Sequence, residues 1–438
     1  MSLACGAECV FCVGCSRWIW KRCTYVGSYD SETWPPADPA EFEPVPRICR
    51  LILAVYEDDL AHPQFPPPGG YHLDPSCVVK RVTYEQTCGR SPPYLIYTDH
   101  HHREIVFSIR GLNLRRESDY ALLLNNSLGM QMFDGGYVHH GLLRSASWLL
   151  NRESETLAEI WKRYGEEYKL VFAGHSLGSG VAALMSILVV NHGHCVGGIP
   201  RSKVRCYAVA PARSMSLNLA VKYADVIYSI VLQDDFLPRT ATPLEDIFSS
   251  IFCLPCLLFW VCIRDTFIPE GRKLRDPRRL YAPGRMFHIV ERKFCRCGRV
   301  PPKVRTAIPV EGRFEHIVLS CNATSDHGIL WIEKESQKAL DLMKEGMEAA
   351  PPATQRMERK ESFAEEHKAA LVRAVTLKIP HAVAPPEGPS GSAEETAASS
   401  AASPRLTRKP NWEQLLENLF DKGPSGALVL RKDIGTSS

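Results

Sequence analysis

Along the first 345 residues, short and nearly unbroken apolar runs are separated by helix-sized stretches. Tyr94–Tyr97, Glu104–Arg110, Tyr168–Ala173, Val204–Val209 and Val226–Leu232 have the length and the β-branched and aromatic content of strands. Strands this uniformly apolar are buried on both faces, and the long segments between them read as crossovers. The pattern therefore predicts an α/β fold with a mostly parallel central sheet covered by helices. Val181–Val190 reads as a long apolar helix, Phe314–Leu319 as a late strand, and Ile329 to about Met347 as a further helix. Thr98–His102 reads as a hairpin turn; its three adjacent histidines cannot all face one ion, so they read as a solvated loop.

The pattern changes at both ends. Residues 1–90 mix cysteines, aromatics and the Pro63–Pro68 patch, with one helix suggested near Ile48–Tyr56, and are expected to form an N-terminal cap segment. Residues 91–345 are expected to form the α/β body. The tail, 346–438, is dense in Ala, Pro, Ser, Glu and Lys, and Ala384–Pro404 has no large apolar side chain, so most of it cannot repay its ordering entropy and is expected to be disordered. Near its end Asn411 can cap a short helix over 411–421, with Trp412, Leu415, Leu416, Leu419 and Phe420 on one face for docking.

Composition narrows the class. Apolar residues make up 45% of the chain, ample for a large core, and a net charge of +3 gives no global field for nucleic acid. Cys5, Cys9, Cys12, Cys15 and Cys23 crowd the N-terminus, and Cys253, Cys256 and Cys262 share one apolar stretch, which is unlike a disulfide framework. Without a basic region leading into an apolar one at the N-terminus, no signal peptide is read, and free thiols in a reducing, cytoplasmic compartment are expected. Cys9-x-x-Cys12-x-x-Cys15 has zinc-like spacing but no matching second pair; acylation sites near a membrane and ordinary cysteines are the other readings.

The most specific chemistry is Gly174-His175-Ser176-Leu177-Gly178, set between the Tyr168–Ala173 strand and the Val181–Val190 helix. A serine at such a turn is strained and exposed, and the flanking glycines remove side chains that would clash as the helix leaves the strand. Its hydroxyl needs a histidine to take the proton and a carboxylate to orient that histidine, in the chain order Ser, Asp, His. The acid is expected where the Ile227–Leu232 strand ends, at Asp234 or Asp235. Of the downstream histidines, His288 and His316 lie in β-like runs, whereas His327 lies in a loop, Ser325-Asp326-His327-Gly328, and is the expected base. No metal or other cofactor is required.

Together, the elbow, Asp235-x-x-Pro238-Arg239, Val138-His139-His140-Gly141-Leu142 and Asp326-His327 resemble the class 3 lipase family, an α/β-hydrolase group acting on acylglycerols, over roughly residues 91–345. The N-terminal segment and tail are more similar to a plant subgroup described as calmodulin-binding or diacylglycerol-lipase-like. The resemblance selects Asp235 as the acid and matches His327 to the terminal histidine. It also implies an oxyanion hole from the backbone N–H groups of Leu112 and Leu177. The family usually carries Arg-Gly-Thr or Arg-Gly-Ser after the early strand, where this chain reads Arg110-Gly111-Leu112-Asn113. Loss of that hydroxyl costs on the order of 10- to 1000-fold in rate if nothing replaces it.

Ile247–Ile263 contains no charge and includes Leu257, Leu258, Phe259 and Trp260, with Pro255 interrupting it. It reads as an interfacial hairpin or lid, with a buried core helix as the alternative. From Arg264 to Arg305 thirteen Lys or Arg face four Asp or Glu, with Arg272, Lys273, Arg275, Arg278 and Arg279 closely grouped, which suits an anionic membrane surface. Two functions follow. One is a peripherally membrane-associated serine hydrolase of glycerolipid esters. The other is an inactive hydrolase-fold interaction protein, linked to calmodulin through Gln355–Ile379, where Phe363, Leu371, Val375 and Ile379 stand among six cations and four anions.

Overall fold

A computed structural model describes residues 24–113, 130–165, 167–240, 269–292, 299–316, 320–347 and 355–385, with Ser16, Trp20, Val318 and two short strands near the C-terminus. The strands are β1 (Val78–Val82), β2 (Tyr94–Asp99), β3 (Glu104–Ile109), β4 (Met130–Phe133), β5 (Gly136–His139), β6 (Lys169–His175), β7 (Val204–Val209), β8 (Ile227–Leu232), β9 (Arg285–Arg292) and β10 (Arg299–Ala307). Eight of them make one sheet in the order β1-β2-β3-β6-β7-β8-β9-β10, and β4 and β5 form a separate hairpin. From β3 through β9 the pairing is parallel; β1, β2 and β10 run antiparallel to their neighbours at the two edges.

Alternation along each strand divides the core into two layers. Leu170 and Phe172 of β6 point into a cluster with Leu142, Leu149, Val181 and Leu184, under helices His140–Tyr164 and Leu177–Asn191. Val171 and Ala173 point the other way, into a cluster with Ile48, Ile52, Ile332 and Leu340, under helices Pro44–Ala54 and Ile329–Met347. Leu177–Val189 is buried at every position, between the sheet and the His140–Tyr164 helix, which is why its sequence is apolar all round.

The N-terminal segment is a wall of this body. Pro44 starts its helix, where a missing N–H costs nothing, and Val45, Ile48, Cys49, Leu51 and Ile52 turn inward. Arg47 and Arg50 turn outward and pair with Asp99, Glu104 and Glu333, fastening the helix to the sheet edge and to Ile329–Met347.

Phe314–Leu319 is not a strand in its described residues. Phe314 has φ of +51°, which ends any extended run, and its ring is buried against Trp34 and His288. The late strands are instead β9 and the edge strand β10, whose Pro301 and Pro302 sit where the pairing register shifts.

The tail also differs from expectation where it is described. Residues 355–376 form a helix, and Ala370, Ala374 and Ile379 are buried against Leu217, Val221, Ile308 and Val310. Glu366 accepts from the Ile308 N–H at 3.0 Å and pairs with Arg285, and Arg373 pairs with Glu311. A narrow stripe of small apolar residues flanked by ion pairs thus orders a segment whose composition reads as too polar to pack. Of the apolar residues expected to meet calmodulin, Ile379 is buried and Phe363 and Leu371 pack against the body, whereas Val375 is exposed. Farther on, Phe420–Lys422 is a strand paired with Leu428–Leu430, so the expected 411–421 helix fails at its end; 411–419 lie outside the described residues. Cys49, Cys77, Cys88, Cys195, Cys206 and Cys321 are free thiols. Among the described residues, no helix is long and apolar enough to cross a membrane.

Candidate active site

β6 ends at His175, and the chain turns sharply into Leu177–Asn191 through Ser176, whose φ of 54° and ψ of −117° lie outside the ordinary regions for a side-chain-bearing residue. The Ser176 N–H donates to the Val209 carbonyl at 3.0 Å, tying the strained residue to the end of β7. Both motif glycines are required by contact. A Cβ on Gly174 would collide with the Gly178 carbonyl, and one on Gly178 would collide with the Arg110 carbonyl. The loop after β3 is therefore pressed against the first turn of the elbow helix, which brings Leu112 to the same sheet edge as Ser176.

His327 and Asp235 meet there as well. His327 Nε2 lies 2.9 Å from Ser176 Oγ, and His327 Nδ1 lies 3.0 Å from Asp235 Oδ1. With Nδ1–H donating to the carboxylate, Nε2 is left free to accept from the serine hydroxyl. Asp235 is fully buried, and its Oδ1 also accepts the Leu237 N–H at 3.0 Å, which fixes the carboxylate at the start of the short 3-10 turn Leu237–Arg239. Phe236 packs beside the imidazole at 5.0 Å between ring centres. His327 follows the short helix Ala323–Asp326 and precedes Ile329–Met347, so both neighbours hold it.

Asp234 faces away from this line. Its Oδ1 accepts the Gly27 N–H at 2.9 Å and its other oxygen lies 3.7 Å from Arg292, while its own N–H donates to Asp326 at 3.0 Å. Arg239, the arginine of the Asp-x-x-Pro-Arg run, is wholly buried and pairs with Asp30 while donating to the Gln233 carbonyl at 2.7 Å. His288, as expected of a face-packed histidine, is buried; it contacts Ser31 at 2.7 Å and the Gln233 carbonyl at 3.0 Å, and burial pushes it down to about 3. Residues 27–31 thus lock the acid loop from behind. His316 stands off the site beside Tyr25.

Sequence reasoning missed two side chains that touch this machinery. Tyr56 bonds Gly111 and His175, and His175, the variable residue of the pentapeptide, bonds the His327 carbonyl. His175 was legible only as a polar residue at a position otherwise surrounded by apolar ones; Tyr56 lies far away in sequence and carried no signal. His139 and His140 do not join the site: His139 caps the helix they begin, accepting the Leu142 N–H at 3.3 Å.

Leu257, Leu258, Phe259 and Trp260 lie outside the described residues. Of the basic group, Arg272, Arg275 and Arg278 are exposed, whereas Lys273 is buried and Arg279 pairs with Glu315, so the described cationic face is smaller than the sequence implies. The three adjacent histidines sit at the opposite edge of the sheet from Ser176, exposed, with His102 bonded to Asp99 at 2.8 Å. They border a cavity of about 580 Å³ that no triad residue lines.

A parallel sheet that delivers a serine on a strained strand-to-helix turn, with a carboxylate and a histidine arriving from later connections at the same edge, is the α/β-hydrolase fold. Within that fold, residues 106–245 match the family of class 3 lipases, and residues 6–73 match the lipase 3 N-terminal region. Diacylglycerol lipase-beta of Mus musculus is 29% identical over 167 residues, covering 35% of this chain and 23% of that protein. Diacylglycerol lipase-alpha of Homo sapiens is 26% identical over 156 residues, covering 34% and 14%. The chain thus matches less than a quarter of the length of these curated relatives. Among solved structures, the lipase from Rhizopus microsporus var. chinensis aligns over 67% of this chain and 87% of that one at 14% identity, with a TM-score of 0.44. Lip2 lipase from Yarrowia lipolytica aligns over 67% and 94% at 15% identity, with a TM-score of 0.40.

Proposed function

We propose that the protein is a serine hydrolase that cleaves acyl esters of glycerolipids at a membrane surface, with diacylglycerol as the first substrate to test. The observation that carries the reading is the line Asp235 Oδ1, His327, Ser176 Oγ, with links of 3.0 and 2.9 Å at a strained, nearly buried serine. Ser176 attacks the ester carbonyl as His327 Nε2 takes its proton, and Asp235 holds the Nδ1–H tautomer and stabilises the imidazolium. The same imidazolium then protonates the departing glycerol oxygen, and water repeats the sequence to release the fatty acid. The N–H groups of Leu177, at the N-terminus of a fifteen-residue helix, and of Leu112 are the proposed oxyanion donors.

Substrate class is supported by the relatives, both of which are diacylglycerol lipases by name. Membrane contact is assigned to Leu257–Trp260 and to the exposed Arg272, Arg275 and Arg278, an apolar wedge beside cations. The test is fatty-acid release from diacylglycerol in anionic mixed micelles by the full chain and by Ser176→Ala. The expected result is release by the first and a loss of roughly 10⁴-fold or more in the second. Equal release by both, or none by either, overturns the reading.

A further inference from the structure

We infer that Tyr56 and His175 are positioning residues that join the oxyanion loop to the base loop through one chain of hydrogen bonds, an assignment that rests on the serine-hydrolase reading above. The Gly111 N–H donates to the Tyr56 hydroxyl oxygen at 2.7 Å, the Tyr56 O–H donates to His175 Nδ1 at 2.7 Å, and His175 Nε2–H donates to the His327 carbonyl at 2.8 Å. The Gly111 N–H donates and the His327 carbonyl accepts, so His175 carries a proton on Nε2; with the imidazole neutral, its Nδ1 accepts from the Tyr56 O–H, whose oxygen accepts from Gly111. Burial supports that state, pushing His175 down to about 3, and a charged His327 nearby adds to the effect.

Each end of the chain stands next to a reacting group. Gly111 precedes Leu112, so the Tyr56 hydroxyl fixes the backbone that leads into the proposed oxyanion donor. At the far end, the backbone of His327 is held by His175 while its ring is held by Asp235. The packing leaves little slack. A Cβ on Gly111 would lie 2.5 Å from the Tyr56 hydroxyl and 2.8 Å from His175 Nδ1, and the Arg110 guanidinium covers the Tyr56 ring at 4.5 Å. The His175 and His327 rings lie 5.0 Å apart. Leu112 brings no side-chain donor of its own, so the set of this loop depends on its backbone contacts, of which Tyr56 supplies one from outside the loop.

The test is steady-state hydrolysis of a soluble short-chain p-nitrophenyl ester by the full chain and its Tyr56→Phe, His175→Phe, His175→Gln and Tyr56→Phe/His175→Phe variants. Loss of placement lowers kcat roughly 10- to 100-fold with KM within about two-fold. Because the bonds act as one chain, the double variant is expected to be no slower than the slower single, and His175→Gln, which keeps a donor near the Nε2 position, to recover part of what His175→Phe loses. Tyr56→Phe turning over at the wild-type rate, or single losses that multiply in the double variant, overturns the proposal while leaving the hydrolase reading intact. If Ser176→Ala hydrolyses the ester as fast as the wild type, the hydrolase reading fails and the positioning roles fall with it.

Discussion

Asp234 and Asp235 are adjacent and equally near the end of β8, yet one faces the imidazole and the other faces the N-terminal segment. Motif spacing is enough to find Ser176 and His327, because a strained turn and a loop histidine announce themselves locally. The choice between two neighbouring carboxylates depends on which way the turn rotates each, and residues alone leave it open; the resemblance to a family selects Asp235, whose Oδ1 lies 3.0 Å from His327 Nδ1. Asp326, beside the base, was read only as part of a motif, but it is buried with Arg292 and next to Asp234. Burial raises it to about 7 from an ordinary 3.8, against the pull of Arg292. Its folded-state value is the higher one, so between those limits the folded protein holds a proton that the unfolded chain has released. Stability on this account falls as pH rises from about 4 to 7, by up to about 1.4 kcal/mol per pH unit. Asp326→Asn removes that slope. Denaturant midpoints are expected to show the wild type losing ground to the variant between pH 5 and pH 7, whereas parallel curves contradict the assignment.

At the scale of elements, the central strands and the elbow helix were legible because burial on both faces makes their sequences uniformly apolar. β10 was not, since as an edge strand it tolerates Pro301, Pro302 and several cations, and β9 carries Arg285, His288, Glu291 and Arg292 paired within the fold. Phe314 misled in the opposite direction: an apolar residue in a left-handed turn reads as strand until its φ is known. The ordered part of the tail was hidden because its apolar stripe is narrow, with Ala370, Ala374 and Ile379 buried and Phe363 and Leu371 partly buried among many charges. The elbow itself gives a sharp test. Gly178→Ala puts a methyl into the Arg110 carbonyl, a backbone atom that cannot turn aside, so an overpacking loss of about 1–3 kcal/mol is expected in urea unfolding. A variant as stable as the wild type shows that the loop after β3 does not press on the elbow.

For the molecule as a whole, the site is assembled from more of the chain than the matched hydrolase region. Residues 106–245 contain Ser176 and Asp235, but Tyr56 comes from before them and His327 from after. Residues 27–31 thread behind the acid loop, where Asp30 pairs with the buried Arg239. Breaking such a pair on one side strands a charge in the interior, so Asp30→Ala is expected to cost about 3–5 kcal/mol in denaturant unfolding, and a loss under 1 kcal/mol would contradict this role for the N-terminal segment. The central claim, that this assembly makes one serine nucleophilic, is tested most directly by treating the full chain with a fluorophosphonate in detergent and mapping the adduct by peptide mass. The account expects a single adduct on Ser176, absent from Ser176→Ala and formed far more slowly by Asp235→Asn. An adduct elsewhere in the chain, or no adduct in the wild-type protein, would contradict it.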